Sequence, residues 1–437
     1  MKRYKEGGHF SLQSSKETES MVSQILLDIE HRKMDAVRAW SERLDGWAPD
    51  EFELRSAQIE QAALAVEEQA QKDILYSQDN VRRFSEEAKK LFSPIEFEVR
   101  PGVILGHRHI PVHNVGSYVP GGRYPLFGSA QMCIIPAKTA GVSNVCACTP
   151  PVPHAPHGLP CFAESIYAMR QAGADQIVIL GGVPAIAYMA FGLGSVAPAD
   201  ILCGAGNQFV EEAKRQLYGR CGIDLLAGPS ELLIIADGTV PPDVTACDIL
   251  SQAEHDVHAS LCIICFEESY AKACEQEIER QLKTLPTAAV AGASWGKNGQ
   301  IWIAAGPEEA VELANEYAPE HLELLTNMRN ADYYLERLVS YGELYVGPTT
   351  TVAFGDKSAG TNHILPTGKA ARYTGGVWVG TFLKTVSYQK IEKEASAQLG
   401  RIVKRLCDLE RMPGHAASAQ QRIDVYSAYE AKEIIET

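Results

Sequence analysis

Gln176-Ile177-Val178-Ile179-Leu180-Gly181-Gly182-Val183-Pro184-Ala185-Ile186-Ala187-Tyr188-Met189-Ala190-Phe191 decides the fold. A short β-branched run, a glycine pair and a longer apolar run predict a buried strand, a tight turn and a helix. No charged residue occurs from Gln176 to Ala199, a length that would span a bilayer. Gly181-Gly182, Pro184, Gly192, Gly194 and Pro198 interrupt it, so it reads as strand, turn and short helix, and no membrane association is expected.

The same cadence surrounds it. Strand-like runs at 144–148, 176–180, 201–203 and 232–236 alternate with helix-like runs at 161–172, 185–191 and 208–218. Strand, helix, strand at this spacing implies right-handed crossovers and parallel sheets covered on both faces, an α/β fold. A second set follows, with strands at 260–266 and 300–304. The first hundred residues, as in Met21-Val22-Ser23-Gln24-Ile25-Leu26-Leu27, and the tail at 389–403 and 420–435 are expected to be helical. Leu180-Gly181-Gly182 and Gly204-Ala205-Gly206-Asn207 each close a strand just before a helix. Glycines there admit a ligand to the backbone, and a helix N-terminus favours a dinucleotide phosphate. Glycines also simply make tight turns, and spacing alone leaves both readings open.

With 437 residues the chain has room for two or three domains, and a net charge of −15 argues against sequence-independent nucleic-acid binding. The polar N-terminus carries no apolar signal core, so a cytoplasmic protein is expected. The eleven cysteines lie mostly in apolar runs such as Leu261-Cys262-Ile263-Ile264-Cys265-Phe266 and read as reduced, buried thiols.

Three clusters carry chemistry: Ser251-Gln252-Ala253-Glu254-His255, Ala318-Pro319-Glu320-His321, and Gly355-Asp356-Lys357-Ser358-Ala359-Gly360-Thr361-Asn362-His363. Each sets an imidazole near carboxylate or carboxamide groups, the types used for metal binding and proton transfer. One Glu-His pair is an ordinary surface feature, but three clusters together point to an enzyme with a divalent metal and an acid/base pair. Gln252 and His255 are three apart, which on a helix puts them on one face. His255/His258, His107/His109 and His154/His157 also have ligand spacing, but histidines in polar loops are ordinarily just solvated.

These clusters, with Tyr118-Val119-Pro120-Gly121-Gly122, Ile135-Pro136-Ala137-Lys138 and Ala227-Gly228-Pro229-Ser230-Glu231, fall in the order found in the histidinol dehydrogenase family, which the chain resembles from about residue 20 onward. The resemblance implies two Rossmann-like parallel-sheet domains, one inserted in the other, with small helical terminal segments. The boundaries would be an arm at 1–20, a discontinuous metal-bearing and catalytic domain at 21–115 and 231–382, an inserted cofactor domain at 116–230, and a segment at 383–437 that reaches the partner of a homodimer. It implies a zinc (Zn2+) site at Gln252, His255, Asp356 and His415. It implies that His321 takes the proton of an alcohol and that Glu320 activates water for a second oxidation, with two NAD consumed. Tyr118 and Asn207 match its cofactor contacts; a third, a Gln in the family, is Pro184 here, which offers neither a carboxamide nor an N–H. Ser230, His363 and Glu410 match its substrate contacts, and Glu410 favours histidinol.

The chain also departs from the histidinol enzymes. Arg123-Tyr124 replaces small residues, Gly128 stands where Ser is common, and Arg372-Tyr373-Thr374-Gly375-Gly376 differs from the usual wording. A guanidinium at Arg123 would repel cationic histidinol and fork onto a sulfonate or carboxylate, unless it points to solvent or pairs with an acid. In these words the chain is similar to the sulfopropanediol dehydrogenases of the family. That likeness implies oxidation of 2,3-dihydroxypropane-1-sulfonate to sulfolactate, with histidinol to histidine as the alternative and a non-catalytic metal-binding homologue as the second alternative.

Overall fold

Leu232-Leu233-Ile234-Ile235 is apolar at every position, which a strand tolerates only when both faces of its sheet are covered. The computed structural model, which describes residues 1–8, 15–121 and 124–430, builds such sheets twice. The chain begins with β1 (Lys2–Lys5), α1 (Lys16–Arg32), α2 (Met34–Asp45), α3 (Ser56–Ala65) and α4 (Glu68–Lys89), followed by β2 (Ile95–Arg100) and β3 (Val103–Pro111). An alternating stretch comes next: β4 (Asn114–Tyr118), α5 (Gly128–Ala140), β5 (Asn144–Thr149), α6 (Ala163–Ala172) and β6 (Gln176–Ile179). It continues through α7 (Gly182–Phe191), β7 (Ile201–Cys203), α8 (Gln208–Leu217) and β8 (Gly222–Ile223). A second alternation holds β9 (Glu231–Ala236), α9 (Pro242–Ala253), β10 (Ser260–Cys265), α10 (Glu268–Leu282), α11 (Ala288–Asn298) and β11 (Gly299–Ile303). It closes with α12 (Pro307–Tyr317), β12 (His321–Leu325), α13 (Ala331–Arg337), β13 (Glu343–Val346) and the short α14 (Val352–Phe354). The last elements are β14 (Leu383–Ile391), α15 (Lys393–Leu409) and α16 (Pro413–Glu430).

The chain divides into two compact units: residues 1–89 with 112–382, and residues 90–111 with the chain from 383 onward. Within the first unit one sheet has the order β6-β5-β4-β7-β8 and is parallel throughout. The other has the order β1-β11-β10-β9-β12-β13, parallel except for β1 at its edge. The two faces of the second sheet separate with the period of the strand. Leu232, Ile234, Leu261 and Ile263 pack with Ile249 of α9 and Ile278 of α10. Leu233, Ile235, Leu322 and Leu324 pack with Ala310 and Ala314 of α12 and Tyr334 of α13. Each such aliphatic side chain contributes roughly 1.5–3 kcal/mol by leaving water. The same alternation puts Cys262 and Cys265 on opposite faces of β10, so this Cys-x-x-Cys does not converge on one ion.

Four expectations are corrected. Within residues 21–115, expected with the metal-bearing sheet, three helices pack on the other one: α1 lies on α7 and α8, α2 on α7, and α3 on α6, while α4 packs both on α5 and on the turn at 355–359. The cause is a shared core of Val22, Ile25, Ile29 and Val37 with Val178, Ile186, Met189 and Leu202. Residues 95–111 are neither helical nor part of a parallel sheet. They form an antiparallel ribbon, β14-β3-β2, in which β14 pairs with β3 over its whole length. The tail helix expected from 389 therefore starts only at Lys393, because Gln389–Ile391 are still paired strand. Finally, residues 2–5 of the expected N-terminal arm pair with β11 of the same chain. The helix expected at 420–435 is present through Glu430, and its last residues lie outside those described. Among the described residues no helix is long and apolar enough to cross a membrane.

Candidate functional site

The site is built at the N-terminal edge of the six-stranded sheet. Helix α12 stops at Ala318, whose left-handed backbone (φ 51°) and following proline turn the chain sharply. That turn delivers Glu320 and His321 onto β12 beside the first residues of β9, with His321 in register with Leu232. Glu231, the first residue of β9, then serves both. Its N–H donates to Glu320 Oε2 at 2.9 Å, and its carbonyl lies 3.0 Å from His321 Nδ1. A carbonyl can only accept, so the Nδ1 proton is fixed there and Nε2 carries the lone pair. His321 Nε2 is buried and has no hydrogen-bond partner among the described residues. Glu320 Oε2 also lies 3.4 Å from His321 Nδ1.

Burial sets the protonation of this pair. Glu320 is pushed well above the usual carboxylate range, first by desolvation, against the Glu231 N–H and with help from the charges of Glu231 and Asp356. Desolvation pulls His321 down to about 4, although the Asp356 charge opposes it. The imidazole is therefore neutral at ordinary pH, as a general base requires. Glu231 itself is raised to about 7 by burial; Oε1 accepts the Gly368 N–H at 3.0 Å and Oε2 has no partner among the described residues.

The opposite wall is a five-residue π-helical turn, Gly355–Ala359. Such turns are rare and concentrate at functional positions. It is held by α4: Asn80 Nδ2 donates to Ser358 O at 2.8 Å, and Ser77 Oγ donates to Lys357 O. The turn presents Asp356 to His363, whose Nδ1 lies 3.2 Å from Asp356 O and 3.7 Å from Oδ1. Gln252 is buried in the last turn of α9, but that helix ends at Ala253, so His255 stands in the turn beyond it, exposed, its N–H donating to Gln252 O at 3.2 Å. Burial lowers His363 as it does His321, the Asp356 charge opposes both shifts, and His255 adds to them, so His255, Asp356, His321 and His363 form one electrostatic cluster. His258 is held instead by Asp256 Oδ1 at 2.9 Å.

One imidazole, one carboxylate and one carboxamide oxygen suit zinc, which accepts mixed N and O donors. Among the described residues no three His, Cys, Asp or Glu side chains close on an ion. The remaining expected ligand, His415, belongs to the second unit, exposed in the first turn of α16, and Glu410 lies exposed at the end of α15. Arg123 lies outside the described residues. Ser230 is half-buried next to Glu231, its carbonyl accepting the Ser260 N–H at 2.9 Å.

The expected cofactor residues sit at the C-terminal edge of the five-stranded sheet. Tyr118 ends β4, and its hydroxyl accepts the Gly182 N–H at 3.2 Å. Asn207 is the N-cap of α8, accepting from Phe209 and Val210, which leaves its amide NH₂ for a ligand. Behind that turn the fully buried Lys214 bonds Asp224 at 2.8 Å and Gly204 O at 2.9 Å. Pro184 lies buried in the first turn of α7, where a missing N–H costs no helical bond.

Sequence reasoning gave Glu231 no role, because its service to Glu320 and His321 depends on strand register across some ninety residues. Glu343 and Tyr345 were also missed. The Tyr345 hydroxyl donates to Glu343 Oε2 at 2.6 Å, and its ring centroid lies 6.2 Å from that of His321.

The sequence profile described as histidinol dehydrogenase matches residues 10–423. This chain belongs to the histidinol dehydrogenase family. The family comprises NAD-dependent alcohol dehydrogenases. A histidinol dehydrogenase homolog from Shouchella clausii is 47% identical over 93% of this chain and 95% of its own. A sulfopropanediol 3-dehydrogenase from Ruegeria pomeroyi is 39% identical over 95% and 94%. The crystal structure of histidinol dehydrogenase from Elizabethkingia anophelis matches with a TM-score of 0.88 at 29% identity, covering 95% of this chain and 94% of that one. One departure from the family's wording can be placed: a Cβ on Gly128 would lie 3.5 Å from Asp356 O and 3.8 Å from His363 Cε1, so this position borders the site.

Proposed function

We propose that the protein oxidises a small anionic primary alcohol through its aldehyde to the carboxylic acid, with zinc and two NAD. The favoured substrate is 2,3-dihydroxypropane-1-sulfonate, and the product is sulfolactate. The observation that carries the chemistry is the bare, buried Nε2 of His321, fixed as an acceptor by the Glu231 carbonyl. His321 takes the hydroxyl proton. Glu320, once deprotonated, takes a proton from the water that attacks the aldehyde. Gln252, His255 and Asp356 would hold the metal, and Tyr118 and Asn207 the dinucleotide. When bound, these groups supply Lewis acidity at the alcohol oxygen and the hydride acceptor. The parallel sheets are read as two Rossmann-like domains, one inserted in the other, of a cytoplasmic enzyme.

Three observations support the anionic substrate over histidinol: the relative named for sulfopropanediol, the missing Ser side chain at Gly128 beside His363, and Lys357, whose charge reaches His363. We further infer a homodimer in which Glu410 and His415 serve the partner's site. In support, Ile95, Phe97 and Val99 alternate along β2 and are all exposed, an apolar strip that a second copy would cover. NADH formation with sulfopropanediol, histidinol and a neutral diol in turn tests the reading. The sulfonate should give the highest kcat/KM, and robust turnover of histidinol with none of the sulfonate would return the chain to histidine formation.

A further inference from the structure

Helix α2 ends in a carboxylate that no described residue pairs with. Asp45 occupies its last position, where the helix dipole disfavours a carboxylate. The end itself is closed by Gly46 in the left-handed conformation, whose N–H bonds the Glu42 carbonyl while the Trp47 N–H bonds that of Ser41. The Asp45 carboxyl makes no hydrogen bond or ion pair with any described residue, although it is half-buried and burial pushes its pKa up. A desolvated acceptor without a donor costs stability.

Its location gives it a use. In the sheet β6-β5-β4-β7-β8 the chain proceeds from β4 towards one edge and then crosses to β7 on the other side. Ligands of such sheets lie outside the carboxyl ends of the strands at this switch point. Here the chain makes its closest approach: a Cβ on Gly204, just beyond β7, would lie 2.1 Å from Tyr118 O at the end of β4. In the dinucleotide-binding version of this topology, an acid about 20 residues beyond the glycine turn, reached along the strand next to the first, binds the ribose hydroxyls. The corresponding strand β5 ends in Thr149-Pro150-Pro151 and has no acid. Asp45 reaches that place from α2. A Cβ on Gly181 would lie 2.7 Å from Asp45 Oδ2 and 3.2 Å from Pro150 Cβ, and the Asp45 charge is felt at Tyr118.

We propose that Asp45 binds the hydroxyls of the adenosine ribose and selects NAD against its 2′-phosphorylated form. The carboxylate accepts the diol protons and repels a 2′-phosphate. This rests on the reading of the protein as NAD-dependent, but it assigns a residue outside both alternating sheet segments. The test is calorimetric binding of ADP-ribose and of 2′-phospho-ADP-ribose to the intact protein and to Asp45→Asn and Asp45→Ser variants. The native chain should bind ADP-ribose at least about tenfold tighter than its 2′-phosphate, and Asp45→Asn should lose about tenfold towards ADP-ribose. Asp45→Ser should narrow or invert the preference, with the thermal midpoint of either variant no lower than that of the native chain. Variants that bind both nucleotides as the native chain does would overturn the role of Asp45 while leaving the NAD reading intact. A native chain that binds neither would remove both.

Discussion

Glu320 and His321 are adjacent in sequence and yet tuned in opposite senses by the same burial. Desolvation disfavours whichever form is charged, so it lifts the carboxyl well above its usual range and lowers the imidazole to about 4. The imidazole is then a base throughout ordinary pH, whereas Glu320 becomes one only as pH rises through its elevated pKa. Aldehyde oxidation should therefore climb with pH while alcohol oxidation stays flat once pH is well above the His321 value of about 4. Replacing Glu320 with Gln should slow aldehyde oxidation roughly 10²- to 10⁴-fold, the usual worth of a general base, and spare aldehyde formation. Single-turnover kinetics started from alcohol and from aldehyde separate the steps; equal losses in both would show that the roles are not divided this way.

At the scale of elements, the turn after β7 packs directly against the end of β4, the crevice proposed for the cofactor. Gly204 has φ +122°, and a Cβ there would strike Tyr118 O at 2.1 Å. Gly204→Ala should cost roughly 2–4 kcal/mol through strain and displaced backbone, whereas Gly46→Ala, in open space at φ +63°, should cost only about 1 kcal/mol. Thermal unfolding of both variants checks this, and equal midpoints would mean that the approach to Tyr118 is not a constraint. The interior strands were legible in sequence because burial on both faces demands unbroken apolar runs such as 232–236. The ribbon strand β2 was not: Ile95, Phe97 and Val99 alternate with Glu96, Glu98 and Arg100 on an exposed element, and its pairing with β3 is set by tertiary contacts. At the site, the motif words named Glu320, His321, Asp356 and His363, and the structure brings these four groups within reach of one another's charges. The backbone of Glu231, the π-turn around Asp356 and the approach of Asp45 were invisible, because each depends on segments brought together from far along the chain.

At the scale of the molecule, the expected metal and substrate residues are spread over two compact units, with the metal ligand His415 and the substrate residue Glu410 in the second. If the partner supplies them, each active site needs two chains. Mixing inactive Glu320→Gln and His415→Asn proteins should then restore up to about a quarter of native activity through hybrid sites, given random reassortment of a dimer. Activity of the mixture, with subunit exchange verified by mass, checks it, and no rescue would confine the site to a single chain. The central claim is that one buried pair runs two oxidations in succession on an anionic alcohol. Its most direct test is the amount of NADH formed per 2,3-dihydroxypropane-1-sulfonate consumed by the zinc-loaded protein, followed by absorbance to completion with the product identified by mass. The account predicts two NADH and sulfolactate; one NADH with the aldehyde as end product, or no reaction with the sulfonate at all, would contradict it.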